Sequence, residues 1–222
     1  EEVRDPSRVS EVLNRVIMQA HRASAPAQIN IPRDMWTQVV DIELPKIVEF
    51  ERPQGGESAV KEAAELISNA NFPVILNGAG VVLSEAFDDV AALAERLDAP
   101  VCVGYQHNDA FPGSHPLFAG PLGYNGSKAG MELISKADVV LALGTRLNPF
   151  STLPGYGIDY WPTSAKIIQV DINPDRIGLT KPVTVGIIGD AKKVAQGILA
   201  KLSATAGDAG RTDRKNTIAK TK

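Results

Sequence analysis

Two histidines, His107 and His115, stand in a glycine- and proline-rich stretch, GYQHNDAFPGSHPLFAGPLGYNGSKAG, running from Gly104 to Gly130. Imidazoles in a loop could ligate a metal or move a proton, but a metal set needs several donors at ligand spacing. No HxxxH pair exists and no Cys or carboxylate cluster completes a set, so no metal site is expected. Ser114 beside His115 could suggest a hydrolase, yet the G-x-S-x-G elbow is missing. Cys102 lies inside an apolar run and reads as core, and His21 falls near the end of a helical pattern, where a cation suits the dipole. No residue of the chain is therefore assigned as catalytic.

A different chemistry is suggested by the turns NGAGV (77–81), LGYNG (122–126), GTRLNPF (144–150), DINPDRIG (171–178) and GDAK (189–192). Gly78, Gly80, Gly123 and Gly144 would let backbone approach a diphosphate. Arg146 could hold a phosphate or sulfonate in a fork, Asp171 could accept a ribose hydroxyl, and Asp190 completes the set. The bland alternative is that strand ends of any α/β domain need Gly and Asp for turns and caps. The G-x-G-x-x-G fingerprint is absent after the first strand. Both readings stay open at this point.

The elements that must position these turns follow from periodicity. With 222 residues, 44% of them apolar, the chain can build a large core. A formal charge of −3, with no basic stripe, excludes nucleic acid as the expected partner. The single cysteine excludes a disulfide framework and fits a cytoplasmic setting. No apolar run approaches the roughly 20 residues of a membrane span, and EEVRDPSRVS has no signal-peptide pattern.

Asp5 can cap and Pro6 can open a helix carrying Val9, Val12, Leu13, Val16, Ile17 and Ala20 on one face. A short strand is expected over Ala27–Ile31, so residues 1–40 read as the end of a preceding α/β domain. Residues 41–56 read as a linker. From 57 to 203 helical periods alternate with five short apolar runs: PVILN, PVCVGY, DVVLALG, KIIQVDI and VTVGIIG. Helices are expected after Glu57, from a Ser84 cap, over Ser127–Ala137 and from an Asp190 cap. This alternation predicts an α/β, doubly wound parallel sheet, Rossmann-like, with ligands at the carboxyl ends of its strands. Residues 204–222, small and polar, read as a flexible exit linker.

In order and spacing, PVILNGAGV, LFAGPLGYNGSKAG, ADVVLALGTRLNPF, KIIQVDINPDRIG and GDAKKV resemble the middle domain of thiamine-diphosphate-dependent enzymes of the acetolactate synthase type. YQHNDAFPGSHP and NPFSTLPGYGIDYWP are more discriminating and resemble the sulfoacetaldehyde-cleaving acetyltransferase branch of that family, while APAQINIPRDMW resembles the last strand of its pyrimidine-binding domain. The resemblance implies a transferase that converts sulfoacetaldehyde and phosphate to acetyl phosphate and sulfite. Thiamine diphosphate and Mg2+ would be held by domains outside these residues, in a homo-oligomer. It also implies that the chain by itself is inactive and that the strand-end turns form a vestigial nucleotide or anion cradle. FAD is not expected to bind, because Tyr105, Tyr124, Pro149 and Phe150 would crowd the pocket. Gly189-Asp190-Ala191 followed by Asn216 imitates the family's diphosphate motif but lacks its third glycine, so it is not expected to bind metal. Two alternatives are an FAD-binding acetolactate synthase middle domain and a free-standing nucleotide-binding module.

Overall fold

The computed structural model describes residues 1–46 and 48–222; Ile47, within the expected linker, lies outside the described residues. The chain divides into two compact units, Glu1–Arg52 and Pro53–Lys222, and the division falls inside the 41–56 stretch.

In the first unit the Asp5 carboxylate accepts the Ser7 N–H at 2.9 Å and starts a short turn, Pro6–Arg8, that runs into helix α1 (Val9–Ala23). Val12 and Val16 are buried against Val3, Ile29, Ile31 and Met35, while Leu13 and Ile17 on the same stripe stay exposed. The strand expected over Ala27–Ile31 does not form. Asn30 makes only an isolated bridge with Glu2, because a strand needs a hydrogen-bonded neighbour along its length and this unit offers it one residue pair.

The second unit is a doubly wound sheet of six parallel strands, ordered β3-β2-β1-β4-β5-β6. They are β1 (Pro73–Asn77), β2 (Val101–Gly104), β3 (Phe118–Leu122), β4 (Val139–Leu143), β5 (Lys166–Asp171) and β6 (Val185–Ile188). Five match the apolar runs read from sequence. The sixth, β3, was hidden because FAGPL contains Gly120 and Pro121, which break a strand pattern. Its place at the sheet edge tolerates both, since a proline needs no ladder partner on the outer side.

Alternate strand residues feed two cores. Ile75, Val103, Leu141 and Ile168 pack against α2 (Glu57–Ser68), α4 (Phe87–Leu97) and α6 (Ala191–Lys201). Leu76, Cys102, Val140 and Ile167 pack on the other face against α5 (Lys128–Ile134). Coverage of both faces explains why β1 and β4 are buried at every position.

Ser127 caps α5, accepting the Gly130 N–H at 3.2 Å, and Asp190 caps α6. Ser84, expected to cap α4, instead closes the one-turn helix α3 (Ala79–Leu83), its hydroxyl donating to the Gly80 carbonyl at 2.7 Å. The flexible exit linker expected over 204–222 is also corrected. Arg211–Thr221 forms a helix, α7, with Arg214 and Ile218 buried. Its polar composition conceals this because the buried group is a guanidinium, and its donors are all satisfied.

Candidate functional site at the strand ends

In this strand order the chain turns away in opposite directions from β1 and β4, which leaves a crevice at their carboxyl ends. The loops that meet there are knitted through backbone. The Gly78 N–H donates to the Leu143 carbonyl at 3.0 Å and the Gly80 N–H to the Gly144 carbonyl at 2.8 Å. A Cβ on Gly78 would lie 2.5 Å from the Thr145 Cβ, and one on Gly80 2.6 Å from the Gly144 Cα. These glycines therefore serve a close backbone seam between the β1 and β4 loops. Gly123 makes a second seam: a Cβ there would lie 2.1 Å from the Phe150 carbonyl oxygen, and the neighbouring Tyr124 N–H donates to the same oxygen at 3.2 Å.

Asp171 is buried at the end of β5. Burial raises its pKa, against the opposing pull of the Asn173 N–H (2.9 Å) and of the Arg176 and Arg146 charges. Arg146 stands exposed on the rim, and its carbonyl, with that of Leu147, accepts the Thr180 hydroxyl. A rim arginine beside a buried carboxylate can take an anionic group such as a phosphate or sulfonate. Asp190 is committed elsewhere: it accepts the Lys192 and Lys193 N–H groups at 3.1 and 3.2 Å as the α6 cap. The structure thus brings Gly78, Gly80, Gly123, Gly144, Arg146 and Asp171 to one rim and leaves Asp190 as a helix cap at the end of β6.

Two polar residues of this rim were not singled out from sequence. Gln169 in β5 donates to the Thr145 and Arg176 carbonyls (3.1 and 3.0 Å) and accepts the Gly178 N–H (2.8 Å), so it ties the β4 loop to the β5 loop. Asn77 donates to the Ala110 carbonyl at 3.0 Å, while its Oδ1 is buried without a hydrogen-bond partner. The available signal was the same for both, a lone amide inside or closing an apolar run, which is costly to bury unless it makes bonds.

The two histidines separate. His107 follows Gly104 at the carboxyl end of β2, whereas His115 lies near the amino end of β3. The His115 Nδ1 accepts the Leu117 N–H at 3.1 Å, so Nε2 carries the proton that faces the Glu95 carboxylate at 3.2 Å. That arrangement is a loop latch. A cavity of about 460 Å³ beside it, between α4 and α7, is lined by Glu95, His115, Leu117, Lys215, Ile218 and Lys222, at the end of the sheet away from the rim. Cys102 is buried and its thiol is pushed up to about 12, which keeps it protonated and unreactive.

Of the four residues expected to crowd a pocket, Tyr124 and Phe150 stand 75% and 57% exposed, Pro149 is exposed and Tyr105 is half-buried. The Tyr156 hydroxyl donates to the Gly126 carbonyl at 3.1 Å. Among the described residues no group of three or more His, Cys, Asp or Glu is placed to hold a metal ion. Asp190 and Asn216 sit at opposite ends of the sheet, because Asp190 follows β6 whereas α7 meets Asn71 and Asp98, which precede β1 and β2. Asp190 and Asn216 therefore do not come together to hold a magnesium-bound diphosphate.

A doubly wound parallel sheet whose switch loops are joined through glycine defines a Rossmann-like α/β domain, and comparison with known proteins gives its family. Residues 60–198 match the model of the thiamine pyrophosphate enzyme central domain, and the chain belongs to that family. Over all 222 residues it is 80% identical to a sulfoacetaldehyde acetyltransferase of Roseovarius nubinhibens, covering 100% of this chain and 37% of that protein. A probable acetolactate synthase large subunit of Methanocaldococcus jannaschii is 37% identical over 186 residues, covering 81% of this chain and 31% of that protein. Among solved structures, benzoylformate decarboxylase from Polynucleobacter necessarius superposes with a TM-score of 0.75 at 23% identity, covering 91% of this chain and 38% of that one, a likeness of fold. The chain spans little more than a third of the length of the curated relatives it matches.

Proposed function

We propose that this chain is the central-domain part of a thiamine-diphosphate-dependent acyltransferase that converts sulfoacetaldehyde and phosphate to acetyl phosphate and sulfite. The observation that carries the reading is the 80% identity, sustained across the whole chain, to a protein named for that activity. Thiamine diphosphate would supply the carbanion chemistry when bound, with Mg2+, to parts of the protein other than these residues. The contribution of this chain is a scaffold. The glycine seams hold the strand-end loops in one rim, and the exposed Arg146 offers that rim a cationic fork for an anionic group. We place the protein in the cytoplasm as a homo-oligomer. No described helix is long and apolar enough to cross a membrane.

The test is acetyl phosphate formation from sulfoacetaldehyde, phosphate, thiamine diphosphate and Mg2+. A longer protein containing this chain should form it, and residues 1–222 alone should not. Acetolactate formed from pyruvate by the longer protein, with no acetyl phosphate, would replace this reading with the acetolactate synthase one, which the 37% identity to the Methanocaldococcus jannaschii protein supports.

A further inference from the structure

The tail after α6 crosses from one face of the sheet to the other. Ala206 is buried in the core of the α2, α4 and α6 face, and Ile218 in the core of the α5 face. Between them the chain rounds the amino ends of β1 and β2. There Arg214, 0% exposed, donates all its guanidinium N–H groups to backbone carbonyls: Asp98, Leu97, Asn71, Ala209 and Gly207.

Leu97 and Asp98 end α4, where carbonyls have no helical partner and the helix dipole favours a cation. The approach needs bare backbone. A Cβ on Gly207 (φ +80°) would lie 2.8 Å from the Leu97 Cα, and one on Gly210 (φ +61°) 2.6 Å from the Asn71 oxygen. Further contacts flank the crossing. Arg96 reaches the Ser203, Ala204 and Ala206 carbonyls at 2.6–2.9 Å. The Asp98 carboxylate lies between Arg211 (2.8 Å) and Lys215 (3.4 Å), the Arg211 contact being one of charge without an aligned hydrogen bond.

We propose that residues 203–222 are a strap fastened by Arg214, which carries the chain across the strand ends and holds its Lys222 end against the α5 face. Any chain continuing past Lys222 would leave from that face in a set direction. The two ends of the strap differ. Its inner half is tied through Arg214, and its outer half spans the 460 Å³ cavity, touching the opposite wall through Lys222 Nζ on the Pro116 carbonyl at 2.7 Å. At 11 residues, α7 is shorter than the roughly 12–15 needed for a helix to persist in isolation, so it is helical only while docked. The proposal does not depend on the acyltransferase reading.

Hydrogen exchange followed by mass spectrometry on the 222-residue protein tests it. The amides of 211–221 should be protected in the wild type. Arg214→Lys, whose single ammonium cannot reach five carbonyls, should lower that protection tenfold or more and leave β1 and β4 unchanged. Gly210→Ala, which keeps every side-chain donor, should do the same. Spin labels at positions 128 and 222 should give a narrow distance distribution in the wild type and a broad one in Arg214→Lys. Free-peptide exchange of α7 in the wild type overturns the strap, as does unchanged protection in both variants. Protection lost across the whole sheet in both variants also overturns it, since Arg214 would then be core to the domain.

Discussion

Gly80 and Gly144 meet across the seam between β1 and β4 so closely that a methyl group on either would lie 2.6 Å from the Cα of the other. No side chain fits between them, and this contact joins the two halves of the sheet at the end where its loops gather. Either Gly80→Ala or Gly144→Ala should destabilise the protein by about 1–3 kcal/mol through overpacking. Gly144 has the larger expected effect, since its φ of +60° adds the cost of a left-handed alanine. Denaturant midpoints measure both, and the double variant should lose less than the sum because one contact is removed twice.

Asp171 gives a pH dependence of defined sign. Burial raises its folded pKa above the unfolded value, so the folded state holds the proton more tightly. The wild type therefore loses stability as pH rises from the unfolded pKa to the folded one, and the loss is constant above that. Asp171→Asn keeps the oxygen that accepts the Asn173 N–H and should be more stable than wild type at neutral pH. The advantage should shrink on acidification. Unfolding curves across the acid range decide this, and an advantage that grows towards low pH would contradict the assignment.

Arg146 should govern anion binding at the rim. Calorimetric titration should show FAD binding weakly or not at all. ADP or inorganic phosphate should give any measurable heat there, and Arg146→Ala should abolish it. FAD binding in the micromolar range or tighter would move the reading to acetolactate synthase.

Residues 1–45 should be dispensable for the sheet. The second unit, Pro53–Lys222, contains both cores of the sheet, and the first has its own small cluster around Val12 and Val16. Deleting residues 1–45 should leave a single cooperative unfolding transition with its midpoint nearly unchanged.

Much of the fold was legible in the sequence because its signals are local. PVILN and DVVLALG hold the unbroken apolar runs VIL and VVLAL, as strands covered on both faces must, and KIIQVDI is apolar but for Lys166, Gln169 and Asp171. The helix from Glu57 announces itself by period, and the one after Asp190 by period and cap. The order and spacing of the strand-end turns were enough to indicate the family. What the tertiary structure alone decided depends on approach between distant residues. FAGPL is a strand only because the edge of β2 is free to receive it. Gly78, Gly80 and Gly144, which suggested room for a diphosphate, are glycines in order that one loop can lie against another. Arg214 looked like one charge in a polar tail, yet it is buried because five carbonyls from three separated segments converge on it. No local pattern records that convergence, since it arises only when the end of α4, the start of β1 and the tail meet.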